Sequence, residues 1–395
     1  MILGIDASNL RAGGGVTHLR ELLAAADPAR HGFSEVVVWA GGATARQLSP
    51  RDWLRVVHEP LLDGPLPARV FWQQVVLRRR AEERCDLLFV PGASAPIPFR
   101  PRVVMSRNML PFDGAERRRY GASWTHMRLL ALRQVHARSF AKADGVIFLT
   151  EYALRSILPT LNGSMPGQVS IIPHGIDARF QAPPRAPRPL ADCSEHAPLR
   201  IVYVSVVAPY KHQWVVAEAV ASLRAAGLPL HIEFVGGCED HTSTARLTDA
   251  VRRLDPDGRF TTIKGAVPFG EMHRSYQRAE LFVFASSCEN MPNILLEAMA
   301  AGLPIACSER GPMPEVLGDG GEYFDPEDVS DTARAIAALA TDAGLRARRA
   351  SRAFELASQY SWTRCAEETL AFLFDVAHGR RSERAVFTDE IRRGA

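Results

Sequence analysis

Two carboxylates eight positions apart, Glu289 and Glu297, flank the start of an apolar run in CENMPNILLEAMAAG. Pro292 lies near the first turn and Gly302 just past the end, the order in which these residues punctuate a helix. With Asn290 as N-cap, a helix is predicted over 292–301. A helix start carries unpaired N–H groups and the positive end of the peptide dipoles, which suits an anion such as a diphosphate. A carboxylate ahead of that start can accept hydrogen bonds from ligand hydroxyls, and one inside the helix can reach a second hydroxyl-bearing ring. The spacing fits a ligand with a sugar at both ends and phosphate between. It also fits a Glu289 that merely complements the helix dipole and a Glu297 that is solvated. Asn290, Met291, Pro292 and Asn293, around this helix start, are candidate substrate-binding residues alongside Glu297.

Cations for such a ligand are easy to single out. Of 47 basic residues only Lys142, Lys211 and Lys264 are lysines. A compact ammonium suits a phosphate as a point charge. Lys211 follows a predicted strand at 200–206, and Lys264 closes one at 259–264 with Val267 just beyond. A surface lysine is the alternative for each. Near the amino terminus, AGGGVTHLRELL offers Gly13, Gly14 and Gly15, which would let backbone approach phosphates or an acceptor, or would form a plain flexible loop. The dinucleotide fingerprint G-x-G-x-x-G is absent.

The elements that must position these residues alternate. Short β-branched runs at 2–5, 35–39, 87–90, 102–105 and 145–149 read as buried parallel strands. Between them, 16–26, 69–83, 125–142 and 151–158 read as helices, which makes a doubly wound α/β domain. A proline-rich stretch at 181–198 reads as an exposed linker. The rhythm restarts with strands at 200–206, 231–235, 259–264 and 281–285 and helices at 213–226, 243–254 and 270–278. A helix at 363–377 closes the pattern before a charged tail. The expectation is an α/β protein with a domain over 1–180, a linker over 181–198, a second domain over 199–362, a closing helix over 363–379 and a tail over 380–395. Ligands of such sheets bind at the carboxyl ends of strands, so a cleft facing both domains is the expected site.

Composition narrows the classes. The 395 residues are 47% hydrophobic and 23% charged, which excludes a disordered chain or a disulfide miniprotein. A net charge of +3 gives no case for nucleic acid as a partner. The start lacks a long apolar signal region, no run is long enough to span a membrane, and six scattered cysteines show no metal-ligand spacing. A reducing cytoplasm is the expected compartment.

The segment FVFASSCENMPNILLEAMAAGLPIACSERGPMPEVLGDGGEYFDPED, with Glu289 to Glu297 as E-x7-E and with Glu315, resembles the second domain of retaining glycosyltransferase family 4, of GT-B fold. IIPHGIDARF is similar to that family's passage between domains, SWTRCAEETLAFLF to its closing helix, which packs back on the first domain, and AGGGVTHLRELL to its glycine-rich loop. The resemblance implies two Rossmann-like domains and transfer of a glycosyl group from a nucleoside-diphosphate sugar with retention, without an essential cofactor or metal. Lys211 would neutralise the donor diphosphate, Glu289 would position the sugar, Glu297 would bind ribose hydroxyls, and the region of Lys264 and Val267 would hold the base. The family often places an arginine shortly before the lysine, and here 205–210 read SVVAPY. Where relatives often carry a histidine, this chain has MSRNMLPFD, with Arg107 and Asn108 at that place. Arg107 either supplies the missing positive charge, as a catalytic residue, or forms a structural salt bridge. The subgroup resembled acts in polysaccharide and O-antigen assembly. It favours a GDP-linked mannose-like donor over a UDP-sugar and a saccharide or polyprenyl-linked acceptor.

From 117 to 142 the chain has seven basic residues and no acidic one, with Trp124, Met127, Leu130, Leu132 and Val135 interleaved. Such a surface suits anionic lipid head groups, hence peripheral contact with the inner face of the membrane. Arg128, Arg133 and Arg138 step by five and would walk around a helix, so a core helix with a solvated basic face stays open. The competing functions are a nucleotide-sugar epimerase, for which no acid/base pair stands out, and a non-catalytic scaffold.

Overall fold

The computed structural model describes residues 1–380 apart from 12, 95, 96, 162 and 165. The tail expectation for 381–395 lies outside the described residues. Two sheets carry the chain. The first contains β1 (Ile2–Asp6), β2 (Glu35–Ala40), β3 (Leu54–His58), β4 (Leu87–Val90), β5 (Arg102–Met105), β6 (Gly145–Phe148) and β7 (Gln168–Ile171). The second contains β8 (Leu199–Val204), β9 (Leu230–Val235), β10 (Thr261–Gly265), β11 (Leu281–Phe284), β12 (Ile305–Ser308) and β13 (Gly321–Phe324). The helices that bear on the sites are α1 (Gly14–Ala25), α2 (Trp124–Ala141), α3 (Gln213–Ala225), α4 (Asn293–Ala300) and α5 (Trp362–Ala377). Among the described residues no helix is long and apolar enough to cross a membrane.

Both sheets are parallel throughout, with strand orders β3-β2-β1-β4-β5-β6-β7 and β10-β9-β8-β11-β12-β13. Parallel strands buried on both faces must be apolar along their length. Accordingly every residue of β4, β5, β6, β11 and β12 is buried. Each order reverses once, at β1/β4 and at β8/β11, and such switch points open a crevice at the carboxyl ends of strands.

The chain divides into two units: Met1–Gly114 with Ala122–Gly175 and Tyr360–Ala395, and Ala115–Gly121 with Ile176–Gln359. This differs from the expected boundaries: residues 176–180 fall in the second unit and 360–362 in the first, and two further differences bear on the site. Residues 115–121 belong to the second unit. The proline-rich stretch is no free linker: Ala182 N–H donates to the Ala300 carbonyl, Arg185 to those of Gln277 and Ala279, and Arg188 pairs with Glu280 at 3.0 Å. Proline removes donors but leaves carbonyls and the arginines free to bind a neighbour, so a proline-rich segment can pack as irregular backbone. Helix α5, N-capped by Ser361, belongs to the first unit, where it packs on α1 and buries Phe372, Leu373 and Val376.

Helix α2 corrects the reading of its arginines. The 3.6-residue period puts Trp124, Met127, Arg128, Val135, Arg138 and Lys142 on one stripe, and all six are exposed, while Leu129, His136 and Phe140 are buried opposite. Only Arg133 leaves the stripe.

Candidate functional site

In the second unit, Lys211 and Glu289 lie in the loops that follow β8 and β11, the two strands flanking the switch point. The Ser287 N–H donates to the Tyr210 carbonyl at 2.9 Å and so staples the two loops together. Tyr203, buried in β8, donates its hydroxyl to the Lys211 carbonyl. Only 4% of Lys211 is exposed, and its ammonium pairs with the Glu289 carboxylate while lying 5.1 Å and 5.3 Å from the ring centroids of Tyr210 and Phe284. A buried ammonium held by one carboxylate and two aromatic faces can receive a phosphate once the carboxylate turns to another partner.

Beside this pair runs a hydrogen-bonded chain. His212 takes the left-handed conformation, φ 49°, at the start of α3, and burial holds its imidazole down at about 3, with Arg119 and Arg246 adding to the effect. The Ser287 hydroxyl donates to Glu116 at 2.8 Å, which leaves its oxygen to accept from His212 Nε2 at 2.9 Å. Glu116 in turn binds Arg119 at 2.6 Å, and Arg119 also pairs with Glu327. Sequence reasoning missed Glu116, Arg119, His212 and Ser287; the seven-residue excursion 115–121 that delivers the first two has no local signal.

Helix α4 begins at Asn293 with Pro292 as its N-cap residue and no side-chain cap, so Asn290 is not the N-cap that the sequence suggested. Proline at that position has no N–H and no capping oxygen, and the loop 287–291 is instead held by its own buried packing, with Asn290 and Met291 buried. Glu297, one turn into α4, accepts a hydrogen bond from the buried Tyr276 hydroxyl at 2.8 Å. Burial pushes its carboxyl up to about 7, against the opposing pull of Tyr276. It is therefore not the freely solvated helix residue. Lys264 is exposed on the edge strand β10 and pairs with Glu233 at 3.5 Å; Val267 follows it. These two stand two strands from β8, about 10 Å across the sheet.

The first unit holds the remaining candidates. Of the three glycines only Gly13 has a positive φ, 66°; Gly14 and Gly15 already belong to α1, so the expected glycine loop is the first turn of a helix, exposed at Gly14 and half-buried at Gly15. A Cβ on Gly15 would stand 3.2 Å from the Arg107 guanidinium, which follows β5. Burial lowers Arg107 to about 10, and its Nε and one terminal nitrogen are buried without a hydrogen-bond partner. No structural salt bridge accounts for this arginine: among the described residues it meets no carboxylate. Asn108 is exposed and accepts from the Leu110 N–H at 3.1 Å.

Around Arg107 gather residues that the sequence reading quoted without a role. His18 is fully buried with both ring nitrogens unpartnered, and its ring centroid lies 4.5 Å from that of His174 and 5.5 Å from that of Trp362. Burial, reinforced by His174 and Arg107, holds His18 well below the usual imidazole range. Gly175 permits this close fit, because a Cβ there would stand 2.1 Å from the Trp362 backbone nitrogen. A half-buried cation with two unpaired nitrogens beside the open turn of α1 can take an anionic group. Among the described residues no group of three or more His, Cys, Asp and Glu is arranged to hold a metal.

Two parallel doubly wound units with these loops define the GT-B class. The family description "Glycosyltransferase Family 4" matches residues 12–180 and "Glycosyl transferases group 1" matches residues 198–342, and the chain belongs to the family 4 glycosyltransferases of GT-B fold. It is 35% identical over 106 residues to O-antigen chain mannosyltransferase B of Escherichia coli, covering 27% of this chain and 28% of that one. It is 30% identical over 285 residues to D-inositol 3-phosphate glycosyltransferase of Actinosynnema mirum, covering 67% and 63%. The matches thus span less than two thirds of these relatives. Among solved structures, Anabaena HepE in complex with UDP-glucose superimposes with a TM-score of 0.69 at 19% identity, over 94% of this chain and 100% of that one, a likeness of fold.

Proposed function

We propose that the chain transfers a mannose-like hexose from a GDP-linked donor to a saccharide or polyprenyl-linked acceptor, with retention, in cell-surface polysaccharide synthesis. The observation that carries the reading is the buried Lys211–Glu289 pair at the β8/β11 switch point. Departure of a nucleoside diphosphate develops negative charge on the phosphate, and a preorganised ammonium in a site of low dielectric stabilises it. Glu289, released from Lys211, accepts hydroxyls of the transferred sugar and positions it. The departing phosphate oxygen takes the acceptor proton, so no side chain serves as a nucleophile. Glu297 binds the ribose, Asn290, Met291, Pro292 and Asn293 surround the phosphate end, and Lys264 and Val267 flank the base. Arg107, with Asn108 and the α1 turn at Gly14 and Gly15, takes an anionic group of donor or acceptor.

The name of the Escherichia coli relative supports the mannose-like donor. The UDP-glucose of the Anabaena complex supports a UDP-sugar as the second reading. Peripheral contact with the inner face of the cytoplasmic membrane is supported by the α2 stripe, where Trp124 is 82% and Met127 60% exposed beside Arg128.

Thermal shifts with GDP, UDP, ADP and dTDP on wild type and Lys211→Ala test the reading. A nucleotide at a hundred times its dissociation constant stabilises by about 2.7 kcal/mol. GDP alone should act, and less so on the variant. Selection of UDP would leave the transferase standing and remove the sugar assignment. Silence from all four would remove both and favour a scaffold.

A further inference from the structure

At the opposite end of β5 from Arg107 lies a cavity of about 440 Å³, within the size range of ligand pockets. Arg102 opens β5 at the cavity and Arg107 follows its end, so five residues of extended chain, about 16 Å, separate them. Four cations line the cavity: Arg100, Arg102, Arg138 and Lys142. Among the described residues one carboxylate, Asp144, answers them; it binds Arg100 at 2.6 Å and the Arg102 backbone N–H at 2.9 Å.

The four cations differ in what they do. Arg100 and Arg102 donate to the Lys142 carbonyl, at 3.2 Å and 2.9 Å, and so close the carboxyl end of α2. Arg102 is 97% buried by its surroundings, being only 3% exposed, and its Nε has no partner. Arg138 and the Lys142 ammonium pair with no carboxylate among the described residues, although both are within reach of water. Ile97, buried, and Val135, 39% exposed, supply an apolar wall. A helix end alone needs cations only for its carbonyls, and that need is met by the first two. The remaining positive charge, facing a cavity with an apolar side, has the chemistry of a receptor for a doubly charged phosphate with an apolar neighbour.

We propose that this cavity binds a phosphate monoester or diphosphate group, at a site separate from the switch-point residues of either sheet. The proposal does not depend on the sugar-transfer reading. The same chemistry comes from an amphiphilic lipid phosphate or from a soluble anion, and the test separates them. Inorganic pyrophosphate is titrated calorimetrically into the full chain. Flotation is measured with phosphatidylcholine vesicles containing phosphatidic acid, or phosphatidylglycerol at matched surface charge. Both are run on wild type, Arg138→Ala/Lys142→Ala, Arg138→Lys and Lys211→Ala. The double variant should bind its probe at least tenfold more weakly while melting like wild type, since both side chains are exposed. Arg138→Lys and Lys211→Ala should retain binding. Pyrophosphate binding that Lys211→Ala retains and the double variant loses identifies a soluble ligand at the cavity; preference for phosphatidic acid over phosphatidylglycerol without such pyrophosphate binding identifies a lipid. Loss of binding in Lys211→Ala alone, equal flotation on the two anionic lipids without pyrophosphate binding, or no binding of either probe overturns the proposal.

Discussion

Replacing Arg107 by methionine should make the first unit more stable while weakening its response to nucleotide. Burial pulls this guanidinium from its ordinary 12.5 to about 10, and a displacement of that size corresponds to about 3 kcal/mol of unfavourable burial of the charge. Two of its nitrogens are buried without a partner, so hydrogen bonds do not offset the cost at those atoms. Methionine keeps the length and the flexibility of the side chain but none of the charge, so part of the cost, about 1–3 kcal/mol, should return as stability. Urea unfolding followed by tryptophan fluorescence reads the right unit, because Trp39, Trp53, Trp72, Trp124 and Trp362 belong to it and only Trp214 to the other. In saturating GDP or UDP, whichever stabilises wild type, the gain should be smaller for the variant. A variant destabilised like an ordinary core truncation, with its nucleotide response intact, would show that Arg107 is a packing residue and refute the anion-site reasoning.

Other perturbations test the remaining pieces. Lys211→Ala should cost about 2–4 kcal/mol by stranding the Glu289 carboxylate, and Lys211→Ala/Glu289→Ala should cost less than the sum of the single changes by about 1–3 kcal/mol; additive losses on chemical unfolding would mean that the pair is not coupled. Glu297 has a folded-state value raised from 4.5 to about 7, so the folded chain binds more protons than the unfolded one in that window, and its contribution is greatest below pH 4.5 and lost as pH rises through 7. Glu297→Gln should therefore stabilise at pH 8 and have little effect at pH 4.5. Nucleotide affinity, measured by calorimetry, should fall more steeply in wild type than in the variant as pH drops below about 7, the shared part being protonation of the terminal phosphate at about pH 6. Gly175→Ala should cost more than about 3 kcal/mol in the first unit, because its Cβ would meet the Trp362 backbone at 2.1 Å and backbone cannot yield as a side chain can; fluorescence-detected unfolding checks it.

What the sequence showed of this fold, and what it hid, follows from where each element sits. Strands at the sheet centres announced themselves: β4, β6 and β11 are buried on both faces and so are unbroken apolar runs, and β5 is one after its opening Arg102. The strands left out include three edges. In β3 the residues of LRVVH are all at least partly exposed, β7 is QVSI with a glutamine and a serine, and β13 is GEYF, because an edge strand needs less apolar surface. β12 is central but reads IACS, with one β-branched residue followed by small and polar ones, so it lacks the apolar run that marks the other central strands. The site divides in the same way. Lys211, Glu289 and Glu297 were legible because each stands next to a strand end or helix start that the local pattern marks. The Arg107 cluster was not, since His18, His174 and Trp362 come from α1, the chain after β7, and the first residue of α5, and only the fold makes them neighbours. The spacing of five in α2 misled for a further reason. Counting arginines alone hid the stripe that Lys142 and the apolar residues complete, and exposure shows it at once. A buried charge without a partner, such as Arg107, and a charge surplus around a cavity, such as that at Arg138 and Lys142, are visible only where the partners that could have satisfied them can be sought in three dimensions. Both therefore mark the places where a structure of this family adds chemistry that its motifs do not encode.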